Sequence, residues 1–304
     1  MAEARLAHAL QALQPQPAGG QEQQTSPPSP QAQRHVLVAG ATGVVGRAAV
    51  EEFESLGTRV TMVSRRTPAY STTATHIALD LSDRAACDAA LASLGGVTHL
   101  VYTALSGVDI AEPRAVVDNT EMLRNCLEPL EHGASASSLR HVSLMQGRKF
   151  YAGFSPEELL WPLKERHPRT DTEVNWYFTQ EDLLVEHAEK ASWAYTIWRP
   201  PTVLGFVPGA PLSMLTAIGV YAAVMRELGK PLCYPGGPPV AKQLCDSRLH
   251  ARAFAWAADA PAARNQAYNI ANCDVFIWEA AFPVRIAPTP PVVLPTLFPV
   301  SPVR

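Results

Sequence analysis

The sequence predicts an α/β fold built on a doubly wound parallel sheet, with a smaller lobe toward the C-terminus. Three observations predict it. Short apolar β-type runs alternate with helical windows from residue 34 onward, which is the pattern of a parallel sheet with crossover helices. Those runs are near-continuously apolar, as in strands covered by helices on both faces. The first run, His35-Val36-Leu37-Val38-Ala39, is followed at once by Gly40-Ala41-Thr42-Gly43-Val44-Val45-Gly46 and then by a helical window.

Residues 1–33 are rich in Gln, Pro and Ala and carry too little apolar surface to offset their ordering entropy, so a disordered arm is expected there. A nucleotide-binding domain is expected over residues 34–200. Its strands are His35 to Ala39, Arg59 to Ser64, His76 to Leu81, Val97 to Thr103, Leu139 to Leu144 and Trp193 to Trp198. Helices are expected over Val45 to Leu56, Ser82 to Leu94, Ala115 to Glu131 and Glu181 to Lys190, several opened by Ser or Asp. Beyond Pro200 the pattern loosens into Pro and Gly loops around two helices, near Pro211 to Leu228 and Asp246 to Ala258. Residues 201–281 therefore read as a substrate lobe interleaved with the core. Residues 282–304 read as an irregular tail, because proline can sustain neither a helix nor a central strand.

The glycine turn between a strand and a helix identifies a Rossmann-type βαβ unit. Gly40 permits the tight turn, Gly43 lets backbone approach a pyrophosphate, and Gly46 lets the helix pack close; Thr42, Val44 and Val45 complete the segment whose amides meet the phosphates. About twenty residues on, where an NAD enzyme carries an acid for the ribose hydroxyl, this chain has Ser64-Arg65-Arg66. Guanidinium groups suit a 2′-phosphate, so NADPH/NADP+ is the expected cofactor. Asp80, beside Leu81, is positioned to bond the adenine or to cap the next helix, and the residues leave that choice open. Thr103 and Ala104 are expected along the cofactor's ribose and phosphates, and Gln146 at the carboxyl end of the fifth strand.

At the reacting end the chain lacks the Tyr-x-x-x-Lys of ordinary short-chain dehydrogenases. It offers instead Gly147-Arg148-Lys149-Phe150-Tyr151 after the fifth strand, where ligands bind in open α/β sheets, and Asn175-Trp176-Tyr177-Phe178-Thr179-Gln180-Glu181-Asp182 leading into a helix. His141 and His187 lack a carboxylate at useful spacing and are expected to be structural.

These segments, with Arg199-Pro200-Pro201-Thr202-Val203-Leu204-Gly205-Phe206 and Tyr268-Asn269-Ile270-Ala271-Asn272, resemble the progesterone 5β-reductase/iridoid synthase-like enzymes. These are atypical short-chain dehydrogenases/reductases that reduce activated C=C bonds with NADPH. The resemblance runs from about His35 to Trp278. It implies Tyr177 and Lys149 as the catalytic pair, with Lys149 expected to lower the pKa of Tyr177. It also places Pro200, Thr202 and Val203 beside the nicotinamide and Ser213 and Met214 near phosphate and substrate. Phe150, Phe154, Trp161, Trp176 and Tyr221 are expected as an apolar wall. Phe178 stands where many family members have a second tyrosine, and after Trp278 prolines replace the closing helices, so a truncated or alternatively spliced end is expected.

The expected function is NADPH-dependent reduction of an enone or enal, steroid-like, terpenoid or small, by hydride transfer to the β-carbon. Two alternatives stay open: an NADP-binding regulator without chemistry, and a carbonyl reductase or epimerase on the same fold. A net charge of -3 offers no basic footprint for nucleic acid. The five cysteines form no C-x-x-C pair, so no metal site is expected. The apolar run from Leu212 to Met225 is too short for the ~20 residues of a bilayer span. With no membrane segment or targeting signal, a cytoplasmic protein is expected; the oligomeric state, a homodimer included, stays open.

Overall fold

The structure is a computed structural model, and it describes residues 34–107, 111–151, 162–169, 175–209, 213–237 and 239–282. The arm expected at residues 1–33 and almost all of the tail expected at 282–304 lie outside them, as do Phe154 and Trp161.

Seven parallel strands form the main sheet in the order β3-β2-β1-β4-β5-β6-β9: β1 His35–Ala39, β2 Arg59–Ser64, β3 Thr75–Ala78, β4 His99–Tyr102, β5 His141–Met145, β6 Ala194–Arg199 and β9 Gln266–Asn269. The order reverses direction between β1 and β4, and that switch point opens the crevice in which such sheets bind ligands. Side chains of β1 alternate between two cores. Leu37 and Ala39 pack with α2 (Arg84–Leu91), α3 (Pro113–His132) and α4 (Trp176–Lys190); Val36 and Val38 pack with α1 (Val44–Ser55) and α6 (Ser247–Ala257). Both faces are covered, which is why the strands read as unbroken apolar runs.

The segment beyond β6 divides between the two parts of the molecule. β7 (Thr202–Leu204) and β8 (Leu244–Asp246) form a small parallel sheet of their own, separated by loops that carry α5 (Met214–Glu227). The chain then returns to the main body. Phe254 and Ala257 of α6 join the core on the α1 side, and β9 pairs with β6 through Thr196↔Gln266 to Arg199↔Asn269. A last short helix, α7, covers Trp278–Ala281. β7, β8 and β9 were not anticipated. Each is only three or four residues long, too short for a period to register.

Helix α4 begins five residues before its expected start at Glu181. Asn175 is its N-cap, and its side-chain oxygen accepts from the Tyr177 amide at 2.9 Å. The cap places Trp176 and Tyr177 on the helix's first turn.

At the amino ends of the strands lies a layer of buried histidines. His99 bonds the Thr98 hydroxyl at 2.7 Å, and His141 bonds the Thr196 hydroxyl at 2.9 Å. His250 on α6 is fully buried, and neither ring nitrogen has a hydrogen-bond partner. Burial lowers His99 to about 4 and His141 and His250 to about 3. These rings are neutral in the folded protein, whereas the unfolded chain protonates them near pH ~6.5. Below that pH the unfolded state binds more protons, so their contribution is complete above about pH 7 and shrinks on acidification. Each histidine costs up to about 1.4 kcal/mol per pH unit between roughly 6 and 4. Urea unfolding at pH 7.5, 6.5 and 5.5 is expected to show a midpoint that falls with each step; a midpoint constant over that range would contradict the burial argument.

Candidate active site

Helix α1 opens without a side-chain cap: Gly43 is its N-cap and offers none. The first-turn amides are therefore left to an external acceptor, the arrangement that attracts phosphate. The turn before it needs glycine at two places. Gly40 has φ +82°, and a Cβ there would sit 2.7 Å from the Ala104 amide nitrogen. A Cβ at Gly46 would collide with the carbonyl oxygen of Gly40. Thr103 supports the turn rather than facing away from it, since its hydroxyl donates to the Ala39 carbonyl at 2.8 Å.

A cavity of about 350 Å³ extends from this turn along the carboxyl ends of β1, β2, β4 and β5. It brings together the whole predicted phosphate segment, Gly40, Thr42, Gly43, Val44, Val45 and Gly46, with Ser64, Arg65 and Arg66 at one end. Asp80, Leu81, Thr103, Ala104 and Gln146 line it as well, with Trp176, Tyr177 and Val203 at the other end. Sequence reasoning missed Val63, Leu79, Leu105, Met122, Met145 and Gln180. The last is buried because its amide donates to the Asn119 carbonyl at 3.0 Å, a tertiary contact between α3 and α4 with no local signal.

Among the described residues, the structure leaves Pro200, Thr202, Ser213, Met214, Tyr221 and Phe150 outside the lining of the cavity. Pro200 and Thr202 stand behind Val203; the Pro200 carbonyl accepts from the Arg148 amide at 2.7 Å. Ser213 caps α5, and Met214 is exposed on it. Tyr221, also on α5, donates to the Cys233 carbonyl at 2.9 Å. Phe150 is buried with Tyr151 and Phe178, beneath the Arg199 guanidinium that lies 3.3 Å from its ring centre. Arg199 is held in turn by Glu181 at 2.9 Å. Phe150 thus supports the fold behind the site. Asp80 accepts from the Ser82 amide and hydroxyl, at 3.0 and 2.8 Å, while Asp83 caps α2. Of the two roles open to Asp80, capping the helix itself belongs to Asp83.

Tyr177 occupies the reacting end. Its hydroxyl lies where a Cβ on Gly147 would come within 3.1 Å, so the absent side chain leaves room beside the phenol. Burial pushes its pKa up to about 12. The lowering by Lys149 expected from the sequence is not found: Lys149 is exposed on the turn Arg148–Tyr151, and desolvation governs the phenol. The two segments are nevertheless joined. Asn175 donates from its amide nitrogen to the Lys149 carbonyl at 3.0 Å while its oxygen caps Tyr177, so one buried carboxamide fixes both. His187 does have a carboxylate partner, Glu131 at 2.7 Å, brought across from α3 at the opposite end of the sheet.

A family model described as the NAD dependent epimerase/dehydratase family matches residues 36–271. The chain belongs to that family. Its relatives include an (S)-8-oxocitronellyl enol synthase of Nepeta racemosa, 33% identical over 80% of this chain and 66% of its own length. A 3-oxo-Delta(4,5)-steroid 5-beta-reductase of Arabidopsis thaliana is 32% identical over 83% of this chain and 68% of its own. The resemblance read from the motifs is therefore borne out. This family member spans about two thirds of the length of those relatives. Solved structures of the same fold include the UDP-N-acetylglucosamine 4-epimerase of Bacillus cereus, at TM-score 0.63 and 14% identity over 80% of this chain and 78% of that one. The NAD complex of UDP-glucose 4-epimerase from Thermus thermophilus has TM-score 0.63 and 16% identity, covering 82% and 81%.

The cavity suits a nicotinamide dinucleotide on its own chemistry. The uncapped amides of α1 offer donors to a pyrophosphate, and Arg65 and Arg66 line the same cavity. Gln146 donates one amide hydrogen to the Tyr177 carbonyl at 2.8 Å, while its own carbonyl oxygen is buried with no hydrogen-bond partner. Such an atom is costly unless a donor, such as a ribose hydroxyl or a carboxamide, arrives.

Proposed function

We propose that this chain is an NADPH-dependent reductase of activated C=C bonds, acting on an enone or enal. The observation that carries this reading is the neutral phenol of Tyr177, half-buried in the same cavity as the glycine turn and the arginine pair. The α1 amides would hold the pyrophosphate of NADPH and Arg65 and Arg66 its 2′-phosphate, and the bound cofactor would supply hydride. As the β-carbon receives it, negative charge develops on the substrate carbonyl oxygen. Tyr177 is protonated throughout the physiological range and donates a hydrogen bond to that oxygen, stabilising charge that exists only as reaction proceeds; the enolate then takes a proton from water at its α-carbon to give the saturated carbonyl. Asn175 holds Tyr177 and the Lys149 backbone in register. The Trp176 ring packs edge-on against that of Tyr177, with centres 5.8 Å apart.

The enol synthase and steroid reductase relatives support the choice of an α,β-unsaturated carbonyl substrate. Epimerase chemistry is less well served, because the Tyr-x-x-x-Lys pair is missing. Loss of NADPH absorbance on addition of 2-cyclohexen-1-one, progesterone or 8-oxogeranial tests the proposal, with the saturated carbonyl as the expected product. Tight NADPH binding with no turnover of any of the three would instead mark a binding protein, and an alcohol product would mark carbonyl reduction.

A further inference from the structure

The turn that leaves β2 carries the two guanidinium groups apart. Arg65 lies toward Asp80, whose carboxyl is held below its usual range first by the Ser82 amide and in smaller part by the charge of Arg65. Arg66 reaches the other way and donates to the Gly209 carbonyl at 3.3 Å. Between them the backbone is fixed by a relay: the Ser64 hydroxyl oxygen lies 2.8 Å from the Arg66 carbonyl oxygen and 2.9 Å from His76 Nε2.

A hydroxyl has one proton, and a carbonyl can only accept. The Ser64 proton therefore goes to Arg66, and Ser64 must accept from His76, whose Nε2 carries the hydrogen. In this arrangement Ser64 has no proton to give a phosphate. The curvature between the two arginines is instead pinned from β3, by a half-buried histidine twelve residues away that does not line the cavity.

We infer that His76 is a positioning residue for a ribose 2′-phosphomonoester: through Ser64 it holds the Arg65–Arg66 turn in the shape that the phosphate meets. The inference rests on the NADPH reading above. It makes His76, a residue with no cofactor contact of its own, a determinant of the choice between phosphorylated and unphosphorylated dinucleotides.

Calorimetric titration of the full chain with NADP+, NAD+, adenosine 2′,5′-bisphosphate and 5′-AMP tests it without turnover. His76→Ala is expected to weaken the two 2′-phosphorylated ligands about five- to tenfold, the effect of one hydrogen bond, with NAD+ and 5′-AMP changed by less than about twofold. His76→Gln, whose amide N–H reaches as Nε2 does, is expected to restore most of the loss. Ser64→Ala should reproduce the loss, and the Ser64→Ala/His76→Ala double variant should be no worse than either single. Equal weakening of all four ligands by His76→Ala, no weakening, or losses that multiply in the double variant would overturn the relay while Arg65→Ala/Arg66→Ala still discriminated between the ligands. If the arginine pair itself did not discriminate, the 2′-phosphate reading would fall and the inference with it.

Discussion

Tyr177→Phe is expected to lower turnover of an enone by about 10²- to 10⁴-fold while leaving NADPH binding within a few-fold of the parent. The hydroxyl removed is the donor that meets the developing oxyanion. The ring remains, with its edge-on contact to Trp176 and the Asn175 cap at its amide, so the first turn of α4 keeps its shape. Because burial holds the phenol neutral up to about pH 12, the parent's rate should show no loss between pH 8 and 10 from ionisation of this group. Stopped-flow decay of NADPH absorbance reads the hydride step directly. A Tyr177→Phe rate equal to the parent's would remove the phenol from the mechanism.

Replacing Arg65 and Arg66 together by alanine is expected to weaken NADPH by about 10²- to 10⁴-fold, two charge-assisted hydrogen bonds of roughly 1.5–3 kcal/mol each, with NADH little changed. The single variants should differ. Arg66 also ties the β2 turn to the Gly209 carbonyl of the lobe, so Arg66→Ala should alter substrate KM as well, whereas Arg65→Ala should act on cofactor alone. Fluorescence titration with both reduced cofactors decides it, and equal losses for NADPH and NADH would count against any 2′-phosphate contact.

The legible parts of the molecule were those whose signal is local. The glycine turn could be placed to the residue because a strand, a positive-φ glycine and a helix start are contiguous in sequence. Ser64-Arg65-Arg66 was readable because its distance from that turn is set by one helix and one strand. What escaped depended on tertiary contacts. Gln180 reaches the cavity because α3 packs on α4, and Glu131 finds His187 across the same helix pair. Phe150 was expected in a substrate wall, but a guanidinium fixed by Glu181 presses on its ring and keeps it in the core, a three-residue arrangement drawn from three elements. The electrostatics of Tyr177 were misjudged for a related reason: the family motif gives which side chains are neighbours, whereas burial decides which charge state is cheaper.

The strand that pairs with the outer edge of β6 is synthesised long after β6 itself. β6 carries Ile197 and Trp198, both buried, yet its outer edge finds its partner only at residues 266–269, some seventy positions downstream. During translation the ribosome must release the whole small sheet and α6 before that edge can be paired, at roughly 5–20 residues per second. For those seconds a nascent chain presents unpaired backbone beside apolar side chains, the condition under which strands recruit their neighbours' chains. Yield in a cell is therefore expected to depend on chaperone supply and growth temperature more than the stability of the finished protein would suggest.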